Sequence, residues 1–180
     1  MSAMTEPTHS LPQRFARLIR HHWHQERGAV HRAIPPAMAE RLAAQVRASE
    51  TRHTGQIRLC VEAGLPSSYI WKGLGARERA HTLFGKLGVW DTEHNNGVLI
   101  YLLLSERAIE VLADRGLNAH ISPDQWRALV ERMGTAFRDG RPEDGLTEAI
   151  DEVTELLVRH FPRDSGAQGV NELPDAPVLL

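Results

Sequence analysis

The chain has one cysteine, Cys60, in 180 residues, which excludes an internal disulfide and a cysteine-built zinc site. No apolar run approaches the roughly 20 residues that a membrane-spanning helix needs, and the N-terminus lacks the apolar h-region of a secretory signal. An excess of one charge is missing too. Lys and Arg total 21 against 23 Asp and Glu, a formal net charge of −2 that argues against a nucleic-acid partner. A glycine-rich phosphate loop, a Gly-x-Ser-x-Gly elbow and a His-Glu-x-x-His pair are all absent. The expectation is a cytoplasmic protein without a transmembrane segment: one globular domain with tails.

What is present centres on Trp90 to Gly97 and the run Val98-Leu99-Ile100-Tyr101-Leu102-Leu103-Leu104. A polar loop with two carboxylates, an imidazole and two amides feeds the most apolar stretch of the chain. Short, rich in Val, Ile, Tyr and Leu and preceded by Asn-Asn-Gly, that stretch reads as a central strand buried on both faces.

The other segments fall into place around it. Residues 1–10 read as a disordered N-terminus. Over 11–29, Leu11, Phe15, Leu18, Ile19 and Trp23 recur at helical spacing among arginines, an amphipathic helical extension. Pro35-Pro36 opens a helix with Met38, Leu42 and Val46 on one face, ending near Ser49. Gln56 to Ala63 alternates Ile57, Leu59 and Val61 with polar residues and reads as a half-buried strand. Ala76 to Leu87 places Ala80, Leu83, Phe84 and Leu87 at helical spacing. Ser105-Glu106-Arg107 reads as a hairpin turn, and Ala108 to Ala113 as the returning strand. Ser122-Pro123-Asp124-Gln125 carries the cap, first-turn proline and Gln of a helix start. A last helix carries Leu146, Ile150, Val153 and Leu157. The domain spans 30–162, and 163–180 reads as a flexible C-terminal tail whose Val178-Leu179-Leu180 end is suited to docking. This order predicts an α/β fold with a small mixed sheet covered by helices, its first two strands joined by a parallel crossover.

That topology brings three polar segments to one sheet edge: His53-Thr54-Gly55, Asp91 to Asn96, and Asp114 to Asn118. The helix starting at Ser122 begins close by and could aim its N-terminal amides there. Asp91, Glu93 and Asp114 can supply carboxylate oxygens to a hard cation, with Asn95, Asn96 and backbone carbonyls completing the shell. His53, His94, Arg115 and Asn118 belong to the same candidate site. The competing reading pairs Asp91 with Arg115 and assigns the asparagines to turns. At the other end of the sheet, Glu62, Ser67, Ser68, Ser105 and Glu106 read as turn residues. Trp71 to Gly75 reads as a loop, with a mobile flap as the alternative. His21, His22 and His24 do not all share one helical face, so a solvated or capping role is favoured over a metal site. Cys60 reads as a packed, inert thiol.

These residues also carry a resemblance. Leu83-Phe84-Gly85-Lys86-Leu87, Val89-Trp90-Asp91, Asn96-Gly97-Val98-Leu99 and Ala136-Phe137-Arg138-Asp139-Gly140 resemble the TPM domain family across residues 30 to 162. The resemblance implies a three-layer helix–sheet–helix sandwich with a small mixed central sheet. It also implies calcium binding and phosphatase-type activity in some members and assembly or regulation of membrane complexes in others, with Asp91 and Asp114 as the residues to carry over. The family's Gly-x-Gly turn with its following glutamate is here Asp114-Arg115-Gly116-Leu117-Asn118.

Three functions are therefore expected. The first is a non-enzymatic binding or accessory protein for an unidentified protein partner, with Ca2+ or Mg2+ as a candidate ligand and no catalytic residue. The second is a metal-dependent phosphomonoester phosphatase. The third is a peripheral membrane protein docking through the basic first helix.

Overall fold

The computed structural model describes residues 16–17, 28–163 and 171–180. The expected disordered start and most of the amphipathic extension, with its histidines, lie outside the described residues. Of that extension, Arg17 pairs with Glu106 at 2.6 Å and donates to the Leu74 carbonyl at 2.9 Å.

Helices α1 (Ala29–Ala33) and α2 (Pro36–Ser49) lead into strand β1 (Gln56–Glu62). Then come α3 (Ser67–Trp71), α4 (Ala76–Lys86), β2 (Gly97–Leu103), a 3-10 turn (Leu104–Glu106) and β3 (Ala108–Ala113). A single turn α5 (Arg115–Asn118), long helices α6 (Pro123–Arg138) and α7 (Pro142–His160), and β4 (Val178–Leu179) complete the chain. Local sequence accounts for several boundaries. Proline occupies the first turn of α2, α6 and α7, where its missing N–H costs nothing. The Ser122 hydroxyl accepts from Gln125 N while the Gln125 side chain returns to Ser122 N, closing a reciprocal cap on α6.

The sheet runs β3-β2-β1-β4 and is mixed. Strands β1 and β2 are parallel from Gln56↔Gly97 to Glu62↔Leu103, and β3 returns antiparallel from Leu103↔Ala108 to Val98↔Ala113. Ile57, Leu59, Val61, Val98, Ile100 and Leu102 face α2, α6 and α7. Cys60, Leu99, Tyr101 and Leu103 face α3 and α4. Helices on both faces of a mixed sheet make this an α/β sandwich, and β2 is buried along its whole length at its centre. No helix of the described residues is long and apolar enough to cross a membrane.

Four expectations change. Strand β1 is buried on both faces, not half-buried. Its polar residues are covered because the end of the chain and α4 supply their partners. Gln56 Oε1 accepts from the N–H groups of Glu172 and Leu173, and Arg58 donates to the Pro174 and Ala176 carbonyls. Residues 171–180 accordingly form no flexible tail. Val178 and Leu179 pair parallel with Cys60 and Val61, and Leu180 N bonds to Val61 O at 2.9 Å. Glu62 is no turn residue. Its carboxylate takes Arg79 at 2.6 Å and the Tyr101 hydroxyl at 2.7 Å. Finally, the stretch read as loop or flap begins inside α3, and a Leu74 N–Tyr69 O bond of 2.9 Å closes the turn behind it. Cys60 is fully buried, and burial, with the Glu62 charge added, pushes its thiol up to about 12.

Candidate functional site

The three polar segments meet at the end of the sheet where β1 and β2 begin and β3 finishes. The main chain shows how. Asp114 N donates to Gly97 O at 2.9 Å, extending the β2–β3 ladder one step, and Gly116 N donates to Asn95 O at 2.9 Å. A Cβ on Gly116 would stand 2.5 Å from that carbonyl, so residue 116 has to be glycine for the 91–96 loop to seat against α5. Gly97 is constrained in the same way against the Val89 backbone.

Side chains tie the segments further. Asn96 Nδ2 donates to Thr54 Oγ1 at 3.1 Å, linking the loop to the entry of β1. Thr92 Oγ1 accepts from Asn96 N at 3.1 Å inside the loop. Arg115 Nε donates to Asn95 Oδ1 at 3.1 Å, and Asn95 sits in the left-handed region with φ 51°. Its side-chain amide suits that conformation. Asn118 Nδ2 donates to Ala113 O at 2.6 Å, and its Oδ1 accepts from Trp126 Nε1 at 3.0 Å.

The carboxylates divide. Asp91 and Glu93 are exposed on the loop, and the Glu93 N–H is taken by Glu172 Oε2 at 3.1 Å. Asp114 turns its Oδ1 onto Arg115 N at 2.7 Å to cap α5, which leaves Oδ2 buried with no hydrogen-bond partner. Asn96 Oδ1 is likewise buried and without a donor. Among the described residues no three His, Cys, Asp or Glu side chains are grouped as a metal centre, so Asp91, Glu93 and Asp114 do not together form the expected three-carboxylate shell. The physical reason is the cap, since Asp114 is fixed by α5 while Asp91 and Glu93 are carried on the exposed part of the loop. Nor do Asp91 and Arg115 form an ion pair, because the guanidinium goes to Asn95.

The two histidines differ as sharply. His94 is exposed, whereas His53 is fully buried, its backbone bridging to Pro162 and its Nδ1 within 3.1 Å of Gly55 O. Burial holds its imidazole down at about 4, hence neutral, and Nε2 has no partner. Nearby, burial pushes the Glu50 carboxyl up to about 7, partly offset by the Ile57 N–H it accepts. The amides expected from α6 are largely occupied, because Pro123 has none and Gln125 N is bonded to Ser122.

Sequence reasoning missed Thr92, Gln56 and Glu172 as parts of this region. Thr92 carried one signal: a hydroxyl four residues before Asn96 within a tight loop, suited to a local side-chain-to-backbone bond. Nothing local marked Gln56 or Glu172, which meet 116 residues apart.

Comparison with known proteins places this architecture. The TPM domain model matches residues 31–156. The NMR structure of BA42 protein from the psychrophilic bacterium Bizionia argentinensis superposes with a TM-score of 0.70 at 23% identity, over 81% of this chain and 94% of that one. The solution NMR structure of the N-terminal domain of a protein from P. gingivalis superposes with a TM-score of 0.53 at 20% identity, over 72% and 82%. No curated protein matches the sequence. The family match covers well over half of the chain and the fold agrees with it: the chain belongs to the TPM domain family.

Proposed function

We propose that this chain is a binding or accessory module whose site is the end of the sheet formed by the 91–96 loop and Asp114, and that this site takes a divalent cation. One observation carries the reading: Asp114 Oδ2 is a buried carboxylate oxygen with no donor, and Asn96 Oδ1, an amide oxygen also buried and without a donor, lies on the adjoining loop. A buried acceptor without a donor is unfavourable, and a hard cation relieves it. One carboxylate and an amide oxygen are a thin donor set. They suit an ion that keeps most of its water, as magnesium does at sites with one or two carboxylates, or calcium held weakly. Asp114 would anchor the ion, while Asp91 and Glu93 would act from the loop through the local field. The phosphatase reading would need Arg115, the arginine at this edge, to clamp a phosphate; its side-chain bond here, from Nε to Asn95 Oδ1, serves to seat the loop, so the binding module is preferred.

The test is calorimetric titration of chelator-treated protein with calcium, magnesium and manganese. A dissociation constant of about 10⁻⁴ to 10⁻³ M is expected for at least one ion, in the range of weak oxygen-ligand sites. Asp114→Asn keeps the Oδ1 acceptor that caps α5 and removes the charge, so it should abolish binding while leaving the fold intact. Asp91→Ala should weaken it only slightly. No heat with any ion at millimolar concentration would sink the proposal.

A further inference from the structure

The two edges of the sheet are finished differently. On one side β1 is covered by β4, an extended Val-Leu segment of the chain's own end. On the other, β3 is an edge of six residues, Ala-Ile-Glu-Val-Leu-Ala, without the lysine, proline or bulge that usually guards such an edge. Asp114 and Gly97 are hydrogen-bonded partners, so by the alternation of an antiparallel ladder Leu112, Glu110 and Ala108 also bond inward to β2. Ile109, Val111 and Ala113 then turn their backbone groups outward. Asn118 takes the Ala113 carbonyl at 2.6 Å. Among the described residues, no backbone or side-chain group outside the ladder bonds to Ile109 or Val111.

This edge forms the floor of an open groove of about 630 Å³. Arg77, His81 and Phe84 of α4 line one wall, and Trp126, Arg127 and Val130 of α6 the other. We propose that the groove docks an extended peptide segment that adds a fifth strand to the sheet along β3, with acidic and apolar side chains alternating. Unpaired N–H and C=O groups spaced along a strand call for a partner in strand conformation. Alternate side chains of such a segment point to opposite walls. Toward α4 they meet two of the groove's three basic groups, Arg77 and His81. Toward α6 they meet the indole of Trp126 and Val130. Glu110 is the one carboxylate among the lining groups, and its 3.1 Å pair with the largely exposed Arg77 is of the weak surface kind, so Arg77 can be shared with a ligand carboxylate. The walls also select the occupant. Helices α4 and α6 stand on either side of the edge, so a single strand fits between them more readily than the edge of another complete domain. This docking does not depend on the cation reading.

The probe is a capped peptide, Glu-Val-Glu-Val-Glu-Val-Glu, titrated into the 180-residue chain and followed by amide NMR shifts and fluorescence anisotropy. The expected result is saturable binding tighter than about 1 mM, with the largest shifts at Ile109, Val111 and Ala113. Val111→Pro removes an outward-facing N–H at a position where an edge strand tolerates proline. It should weaken binding about tenfold, the loss of one backbone bond at this scale. Arg77→Glu should do the same through charge. Should Val111→Pro fail to fold, the peptide with alternate amides N-methylated, tested on the unaltered protein, supplies the reading by failing to bind. Absence of binding, shifts confined to another surface, or equal affinity for the N-methylated peptide or a Lys-for-Glu version would overturn the proposal. So would a β3-to-β3 dimer in sedimentation equilibrium that Val111→Pro dissolves, which would make a second copy the occupant.

Discussion

The two ends of the sheet hold buried charge in opposite ways. At the end where β1 and β2 finish, Glu62 is bound by Arg79 through two guanidinium nitrogens and by the Tyr101 hydroxyl, with both ionic side chains nearly buried, 5% and 11% exposed. The bond to Glu62 raises the Arg79 guanidinium above its ordinary value, and burial, with Glu62 adding to it, raises the Tyr101 hydroxyl. Every partner there is satisfied by another. At the end where those strands begin, Asn96 Oδ1, Asp114 Oδ2 and His53 Nε2 are buried without partners, and Glu50 is buried without an ion pair among the described residues. The saturated end reads as structure. The unsaturated end has unmet hydrogen-bonding capacity to offer a ligand, and a polar loop does not reveal this until its partners are counted.

That contrast can be broken most directly at the saturated end. Arg79→Leu strands the Glu62 carboxylate in a nearly dry site, and the loss should be about 3–5 kcal/mol in urea unfolding, the usual cost of removing one partner of a buried pair. Removing Glu62 as well, as Arg79→Leu with Glu62→Gln, should recover much of it. A loss below about 1 kcal/mol for the single variant would place that pair among the weak surface kind.

Next in size are two opposing pH effects at the unsaturated end. Glu50 lies near 7 when folded against an ordinary 4.5. The folded state therefore holds its proton more tightly, and this contribution is full below 4.5 and lost as pH rises through 7. His53 lies near 4 against an ordinary 6.5, so its contribution is full above 6.5 and lost as pH falls through 4. Each shift spans about 2.5 pH units, on the order of 3 kcal/mol, so the two nearly cancel between 4.5 and 6.5. Relative to the parent, Glu50→Gln should lose stability steadily as pH is lowered from 7 to 4.5. His53→Gln should gain over the same interval. Denaturant titrations at several pH values decide this, and parallel profiles for all three proteins would refute it.

A smaller effect sharpens the role of the loop. Gly116→Ala pushes a Cβ into the Asn95 carbonyl, which is backbone and can yield only if the loop moves. A loss of about 1–3 kcal/mol is expected, as for overpacking in a well-fitted site. Chemical-shift changes should be centred on His94 to Asn96, and shifts spread evenly over the molecule would contradict the close seating of the loop.

Much of the frame was legible in sequence. The spacing of Met38, Leu42 and Val46 after Pro35-Pro36, the apolar run after Asn96-Gly97 and the Ser122–Gln125 cap all predict the elements found there. So does the return of Ala108 to Ala113, which brings Asp114 beside the 91–96 loop. The short helices α3 and α5 escaped notice because four or five residues establish no helical period. The burial of Gln56, Arg58 and Glu62 escaped because alternation reports one apolar face and is silent on what covers the other.

The sequence by itself determined the order of the long helices and the first three strands, the parallel crossover with its antiparallel return, and hence where the loop from Trp90 to Gly97 meets Asp114. Those follow from side-chain periodicity and turn chemistry, which act over a few residues. Tertiary structure decided that the chain's last residues close one sheet edge while β3 stays open. It also decided that Asp114 spends one oxygen on a helix cap and leaves the other bare, and that His53 and Glu50 titrate far from their ordinary values. The reason is common to all three. Desolvation and hydrogen-bond satisfaction depend on what packs over a group from distant parts of the chain, and no local pattern encodes that.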